Sequence, residues 1–390
     1  MKTAISPVLI LCGVLISSAN AHHSAAPHFD LTKTIEIQGA VTKFMFVNPH
    51  AYIYFEVANA SGKPTEWRCE LSARAALERQ GWTANMFKPG EKIKVTGSPA
   101  RREENVCYTN NITLADGRAV GRDQRVATTG NAVATSAPIS QKATRAARLA
   151  DGHPNLEGFW VSQGGPGGPP GGPGEAGGPS GPGGMGFGPP GASFAGAMGG
   201  PPAGPGAGMS PGPAQTTAGA AAAKLYDQRF DDPAIKCNPA NIIFGWTHDQ
   251  NVNRITQGKD EIVLTYGYMD FVRTIHMNMT EHPKKITPST GGHSIGKWEG
   301  DVLVVDTIGF LPGVLIPLSG LMHSDQLHVV ERFSVDNSAG TLTREYRGED
   351  PLYLQAAYTG KDVQSLSAKP YTPYNCVELS GKNNIRPDKN

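Results

Sequence analysis

Between Gly164 and Pro213, 22 positions are Gly and 13 are Pro, so 35 of 50 residues are the two that least tolerate regular structure. Gly loses the most backbone entropy on ordering, and Pro removes a donor while fixing φ. Glu175 is the one ionisable residue in this stretch, and its Met and Phe residues follow no period. Too little apolar surface repeats there to offset the entropy of ordering, so a disordered insertion is expected over residues 164–223. The other 340 residues hold 44 Gly and Pro, an ordinary globular density. Their number suits two domains rather than one or three.

Charge is balanced, 35 Lys and Arg against 34 Asp and Glu. No excess of one sign favours nucleic acid or an anionic membrane as a main partner. Basic residues do cluster between Arg118 and Arg148, where a solvated linker accounts for them.

The first 21 residues read as a secretory signal. Lys2 supplies the positive end, Val8 to Ile16 the apolar segment and Ala19-Asn20-Ala21 the cleavage site. Leu11, just before Cys12, occupies the place where a lipoprotein anchor needs a small residue. The most apolar later stretch, Val302 to Met322, is broken by Asp306, Gly309, Pro312, Gly313 and Pro317, too often for a membrane span. A periplasmic or secreted protein without a transmembrane segment is expected. Cys69, Cys107, Cys237 and Cys376 remain after cleavage, an even number suited to an oxidising compartment. Of the three pairings, Cys69–Cys107 with Cys237–Cys376 closes each bridge inside one domain.

Alternating apolar residues mark strands at 35–41, 51–57, 66–71, 92–96 and 112–114, with one helical stretch at 73–80. Five strands with a helix between the third and fourth predict an OB-like small barrel over residues 22–118. Residues 119–152 lack periodicity and read as a disordered linker. Strand patterns at 261–266, 271–277, 302–306, 326–335 and 342–346 predict an antiparallel up-and-down barrel over 153–382, with the Gly/Pro insertion inside it. The fold class is therefore all-β.

Several blocks resemble known groups. Leu156-x-Gly-x-Trp160 resembles the first-strand signature of lipocalin-like barrels, which implies a lipocalin-like second domain. His22-His23-Ser24, Phe29-Asp30, Asn48-Pro49-His50 and Pro89-Gly90 together resemble a bacterial exported domain family of undefined function. Gly292-His293-Ser294-Ile295-Gly296, Trp298-Glu299-Gly300-Asp301, Leu303 to Thr307 and Leu327 to Phe333 resemble a group of secreted bacterial proteins without an assigned reaction. These resemblances imply export and two domains, and they carry no activity.

Four constellations bear on chemistry. Cleavage after Ala21 would give His22 a free α-amine beside its imidazole, a pair suited to Cu(II), with His23 and His50 as further ligands. That terminus resembles the histidine brace of copper proteins. Gly292 to Gly296 fits the G-x-S-x-G elbow of serine hydrolases, but Pro-rich chain precedes it and a strand follows, the wrong context for an exposed nucleophile. Alternation in Leu327 to Phe333 puts Glu331 on one face and His328 with Arg332 on the other, so one set faces the interior. It likewise separates Arg273 from His276. Pairing such as Glu331 with Arg344 is a structural use of these charges. The apolar loop Gly309 to Met322 is a lid, a partner contact or a loop packed against the barrel end.

The leading functional expectation is an exported protein that holds a small apolar or amphipathic ligand in the second barrel, using Arg273, His293, Trp298 and Arg332, with copper at His22, His23 and His50. The alternative is a secreted enzyme with His276, His328 and Glu331 as acid–base residues.

Overall fold

The computed structural model describes residues 25–58, 62–122, 124–126, 145–162, 212–379 and 381–387. The signal segment, His22, His23, most of the linker and most of the Gly/Pro insertion lie outside the described residues.

The first domain comprises β1 (Ile35–Met45), β2 (Tyr52–Val57), β3 (Thr65–Glu70), α1 (Arg74–Arg79), β4 (Lys92–Pro99), β5 (Val106–Thr113) and β6 (Ala119–Gly121). β1 pairs with β2 and β4, β2 with β3, and β5 with both β4 and β3, so five strands close in the order β1-β2-β3-β5-β4. With α1 between β3 and β4, this is the OB-like barrel that the strand count predicts. Ile53 and Phe55, alternate residues of β2, point inward with Val41, Leu77 and Val95. Cys69 and Cys107 sit opposite one another in the parallel β3–β5 register and form a disulfide.

This domain extends further than composition indicates. The Asp116-Gly117 turn, with Gly117 at φ 83°, folds the chain back so that β6 pairs with β5. Val126 then donates its N–H to Gln80, and the Arg122 guanidinium lies 3.7 Å over the Tyr108 ring. Residues 119–122 and 124–126 are thus part of the first domain, not linker. The far end of the linker is also engaged, because Arg148 pairs with Asp301 and His153 stacks on Trp298.

The second domain contains β7 (Gly158–Ser162), α2 (Thr217–Leu225), α3 (Gln228–Asp231), β8 (Asn253–Gln257), β9 (Glu261–Thr265), β10 (Val272–His276), β11 (His293–Glu299) and β12 (Val302–Ile308). A hairpin of β13 (Gly313–Ile316) and β14 (Leu321–His323) follows, then β15 (His328–Asp336), β16 (Thr341–Glu349) and β17 (Tyr358–Leu366). Nine strands close a barrel in the order β10-β11-β12-β15-β16-β17-β7-β8-β9. β7 lies between β17 and β8, so the Leu156 to Trp160 run leads into the strand that completes the barrel. Every join is antiparallel except β10–β11, which is parallel. A parallel join needs a connection that runs back along the strand, and residues 277–292 make it as a proline-containing loop.

Two local expectations change. Residues 217–225, partly inside the expected insertion, form α2, because Thr216 caps it by accepting from Gly219 and an alanine run propagates it. The apolar loop after β12 is the β13–β14 hairpin, with Val314, Leu315, Ile316 and Leu321 buried, so it packs against the barrel.

The barrel interior is filled by its own side chains. Trp160, Trp246, Tyr266, Phe333 and Arg344 are all less than 2% exposed. Cys237–Cys376 ties the chain end back to this domain, and Asn48 bridges in register with Cys376, joining the two domains.

Candidate functional site: a histidine chain beside a cleft

Alternation sends two polar systems to opposite faces of the same strands. Inside, Glu331 of β15 pairs with Arg273 at 2.6 Å and accepts from Arg344 at 3.2 Å, and Arg344 also donates to Asp362 at 2.7 Å. Arg273 donates to Ser294 and Thr307, and Arg344 to the carbonyls of Ile242 and Ile243. Two cations and two carboxylates cancel, which is how buried charge persists. Glu331 is 0% exposed; it serves this network and stands apart from the histidines with which sequence reasoning grouped it. Ser294 of the G-x-S-x-G run is buried in the same network on a strand, so the elbow geometry is absent at that serine.

Outside, four histidines and one aspartate form a chain. Asp306 of β12 has its Oδ2 2.8 Å from His328 Nε2 and its Oδ1 2.9 Å from His282 Nε2. His282 Nδ1 is 2.8 Å from His293 Nδ1, and His293 stacks on His276 with centroids 5.0 Å apart at 21°. His276, His293, Asp306 and His328 come from the adjacent strands β10, β11, β12 and β15. His282 comes from the loop that the parallel join requires. Gly292, at φ +64°, turns that loop into β11; a Cβ there would meet the Ile308 carbonyl at 2.7 Å.

The chain's electrostatics follow from its contacts. Burial raises the Asp306 pKa, but hydrogen bonds from His282 and His328 outweigh it and hold the carboxyl below its ordinary range. His293 is depressed, first by burial and then by the neighbouring His276 and His282, so its neutral form is favoured.

At the His276–His293 end lies a cleft of about 490 Å³, walled by Pro239, Phe271, Val272 and Thr274 and by the loop Ser289 to Gly292. A groove of about 600 Å³ lies elsewhere, between Arg145 and Arg254 along β7 and β8. Arg145 is held there by Asn155 and Asn337, and Arg254 covers Tyr371. The smaller cleft is the candidate site because its lining includes His276 and His293, one end of the histidine chain.

The remaining expected residues fall elsewhere. Trp298 stacks on His153 at 4.7 Å, and Arg332 pairs with Glu299 on the surface. Arg273 lines the cleft while its guanidinium is committed inward. His50 Nδ1 lies 3.1 Å from Glu70 in the first domain, and the copper expectation at His22 and His23 lies outside the described residues. Among the described residues no three His, Cys, Asp or Glu side chains are disposed to hold a metal ion. No described helix is long and apolar enough to cross a membrane. Sequence reasoning gave His282 no role. Its signal was its position in the long connection between two strands, which gains meaning only once those strands are parallel.

A family of unknown function, DUF6152, matches residues 10–108, which spans the first domain to the opening of β5. No curated protein matches the chain.

Proposed function

We propose that this is an exported protein that binds a small, uncharged, amphipathic molecule in the cleft at the β10–β11 join. The observation that carries this reading is the cleft itself, about 490 Å³ and lined by Phe271 and Val272 beside His276, His293 and Ser289. Apolar walls with a few convergent polar groups are the usual form of a small-molecule site. The filled barrel interior shifts the expected ligand from inside the barrel to this outer cleft. Arg273, the only Lys or Arg in the lining, is already paired with Glu331, which favours an uncharged ligand over an anion. Export is supported by the signal-like first 21 residues and by two disulfides, which fit an oxidising compartment.

The test is native mass spectrometry of protein recovered from its own export compartment, followed by titration of the imidazole NMR signals with a panel of neutral amphipathic compounds. A retained or added ligand should shift His276 and His293 and be lost in Phe271→Ala. A ligand that perturbs Trp298 instead, or no shift with any compound, would remove the cleft reading.

A further inference from the structure

We propose that His293 is a general base at this cleft, polarised by Asp306 through His282, and that it activates water against a neutral acyl compound. The inference rests on the cleft reading for access of substrate and on the histidine chain for its chemistry.

Hydrogen-bond roles along the chain fix the tautomers of its neutral imidazoles. Asp306 is ionised and can only accept, so both nitrogens facing it, His282 Nε2 at 2.9 Å and His328 Nε2 at 2.8 Å, must donate. Neutral His282 then has its lone pair on Nδ1. That atom lies 2.8 Å from His293 Nδ1, so His293 must donate from Nδ1. Neutral His293 is left with its lone pair on Nε2, and this residue lines the cleft. When Nε2 takes a proton, the imidazolium Nδ1–H strengthens its bond to His282, whose opposite N–H already rests on the carboxylate. This is the logic of a base oriented by a third group, extended by one imidazole. His276, stacked at 5.0 Å, opposes a positive charge on His293 and so favours its neutral, proton-accepting form.

The two serine hydroxyls of the lining are committed. Ser294 Oγ is held by Arg273 and Thr307, and Ser289 Oγ donates to the Gly292 carbonyl. The base therefore acts through water. His293 Nε2 removes a proton as the water oxygen bonds to the carbonyl carbon and the C=O π pair moves to oxygen. On collapse the bond to the leaving alcohol breaks, and His293 returns the proton to the departing oxygen. One ester and one water give one acid and one alcohol. His293 is the catalytic residue; His282 and Asp306 are positioning residues.

The experiment uses the full mature chain with 4-nitrophenyl acetate as the probe, together with ¹⁵N NMR of the unliganded protein. The expected tautomer of His293 is Nδ1–H, and turnover should rise with pH through a His293 pKa below the ordinary 6.5. His293→Gln should lower turnover roughly 100-fold or more. Asp306→Asn should lower it roughly tenfold or more and mix the His293 tautomers, with partial rescue by Asp306→Glu. An Nε2–H tautomer in the parent, no turnover, or turnover indifferent to His293→Gln would each overturn the proposal. A ligand that shifts the His293 signal without being turned over would sink this inference and leave the binding reading standing. Loss of ligand binding with the tautomer intact would do the reverse.

Discussion

The side-chain amide of Asn48, in the first domain, donates to the backbone carbonyl of Tyr374, near the end of the second, at 2.6 Å. Asn48 is 0% exposed, its Oδ1 accepts from the Ala75 N–H at the start of α1, and its carbonyl accepts from Val377. Arg74 adds bonds to the carbonyls of Pro373 and Tyr374. The Asn48-Pro49-His50 run is therefore a docking element between the domains.

Replacing Asn48 by Ala leaves the Ala75 N–H without its partner, at about 1–3 kcal/mol, and leaves the Tyr374 carbonyl with only its bond from Arg74. Chemical denaturation should show that loss. Limited proteolysis should cut faster near Tyr374, and an unchanged cleavage rate would mean that the domains dock by other contacts.

Glu331→Gln should be among the most damaging single changes in the second domain. It leaves Arg273 and Arg344 buried with one carboxylate, Asp362, between them. Breaking a buried ion pair from one side costs about 3–5 kcal/mol. Urea unfolding of the variant, monitored by Trp246 and Trp160 fluorescence, measures it; a loss below about 1 kcal/mol would show that the network is dispensable.

Stability should depend on pH through His50 and Glu70. Burial works against the Glu70 carboxylate, but the charge and hydrogen bond of His50, with Arg122, hold its pKa at about 2 against the ordinary 4.5. Burial likewise opposes the charged form of His50, yet Glu70 outweighs it and raises the pKa above 6.5, with Asp249 adding to the rise and Arg122 opposing it. The Glu70 contribution is complete above about 4.5 and is lost as pH falls toward 2. The His50 contribution is complete below 6.5 and is lost as pH climbs through the raised value. The pair therefore stabilises most between those limits, and Glu70→Gln should flatten the melting-temperature profile on both sides. A Glu70→Gln profile parallel to that of the parent would contradict this.

Cys237–Cys376 closes a separation of 139 residues and Cys69–Cys107 one of 38. In the chain-entropy model these restrict the unfolded state by about 5 and about 4 kcal/mol. The paired Cys237→Ala, Cys376→Ala variant should lose more in denaturant unfolding than Cys69→Ala, Cys107→Ala. It should also loosen the domain junction, since Cys376 bridges to Asn48. The opposite order would point to strain or residual structure in place of loop length.

Much of the architecture was legible because period-two patterning survives in short strands. The succession of strands and helix in the first barrel and the opposite faces of Glu331 and His328 follow from it, and both disulfides follow from the domain division that it supports. Patterning failed where tertiary contacts decide. β6 has three residues and forms because a turn returns it to β5. α2 adjoins a tract whose composition masked its cap. The histidine chain was half visible: His276, His293 and His328 could be seen on strands, but His282 lies in a loop, where alternation assigns no face. The Glu331–Arg344 pair was legible as a structural use of these charges, but nothing in the sequence shows that Arg273 converges on the same carboxylate and removes Glu331 from the histidines.

Val161 of β7 pairs with Ser365 of β17, roughly two hundred positions later. During synthesis the first strand of the second barrel must wait, unpartnered on its β17 side, until β17 has been made. The first domain has all five of its barrel strands by Thr113. It can be complete before the second begins to close, so closure of the second barrel comes late, close to the moment when the segment that docks against Asn48 is made.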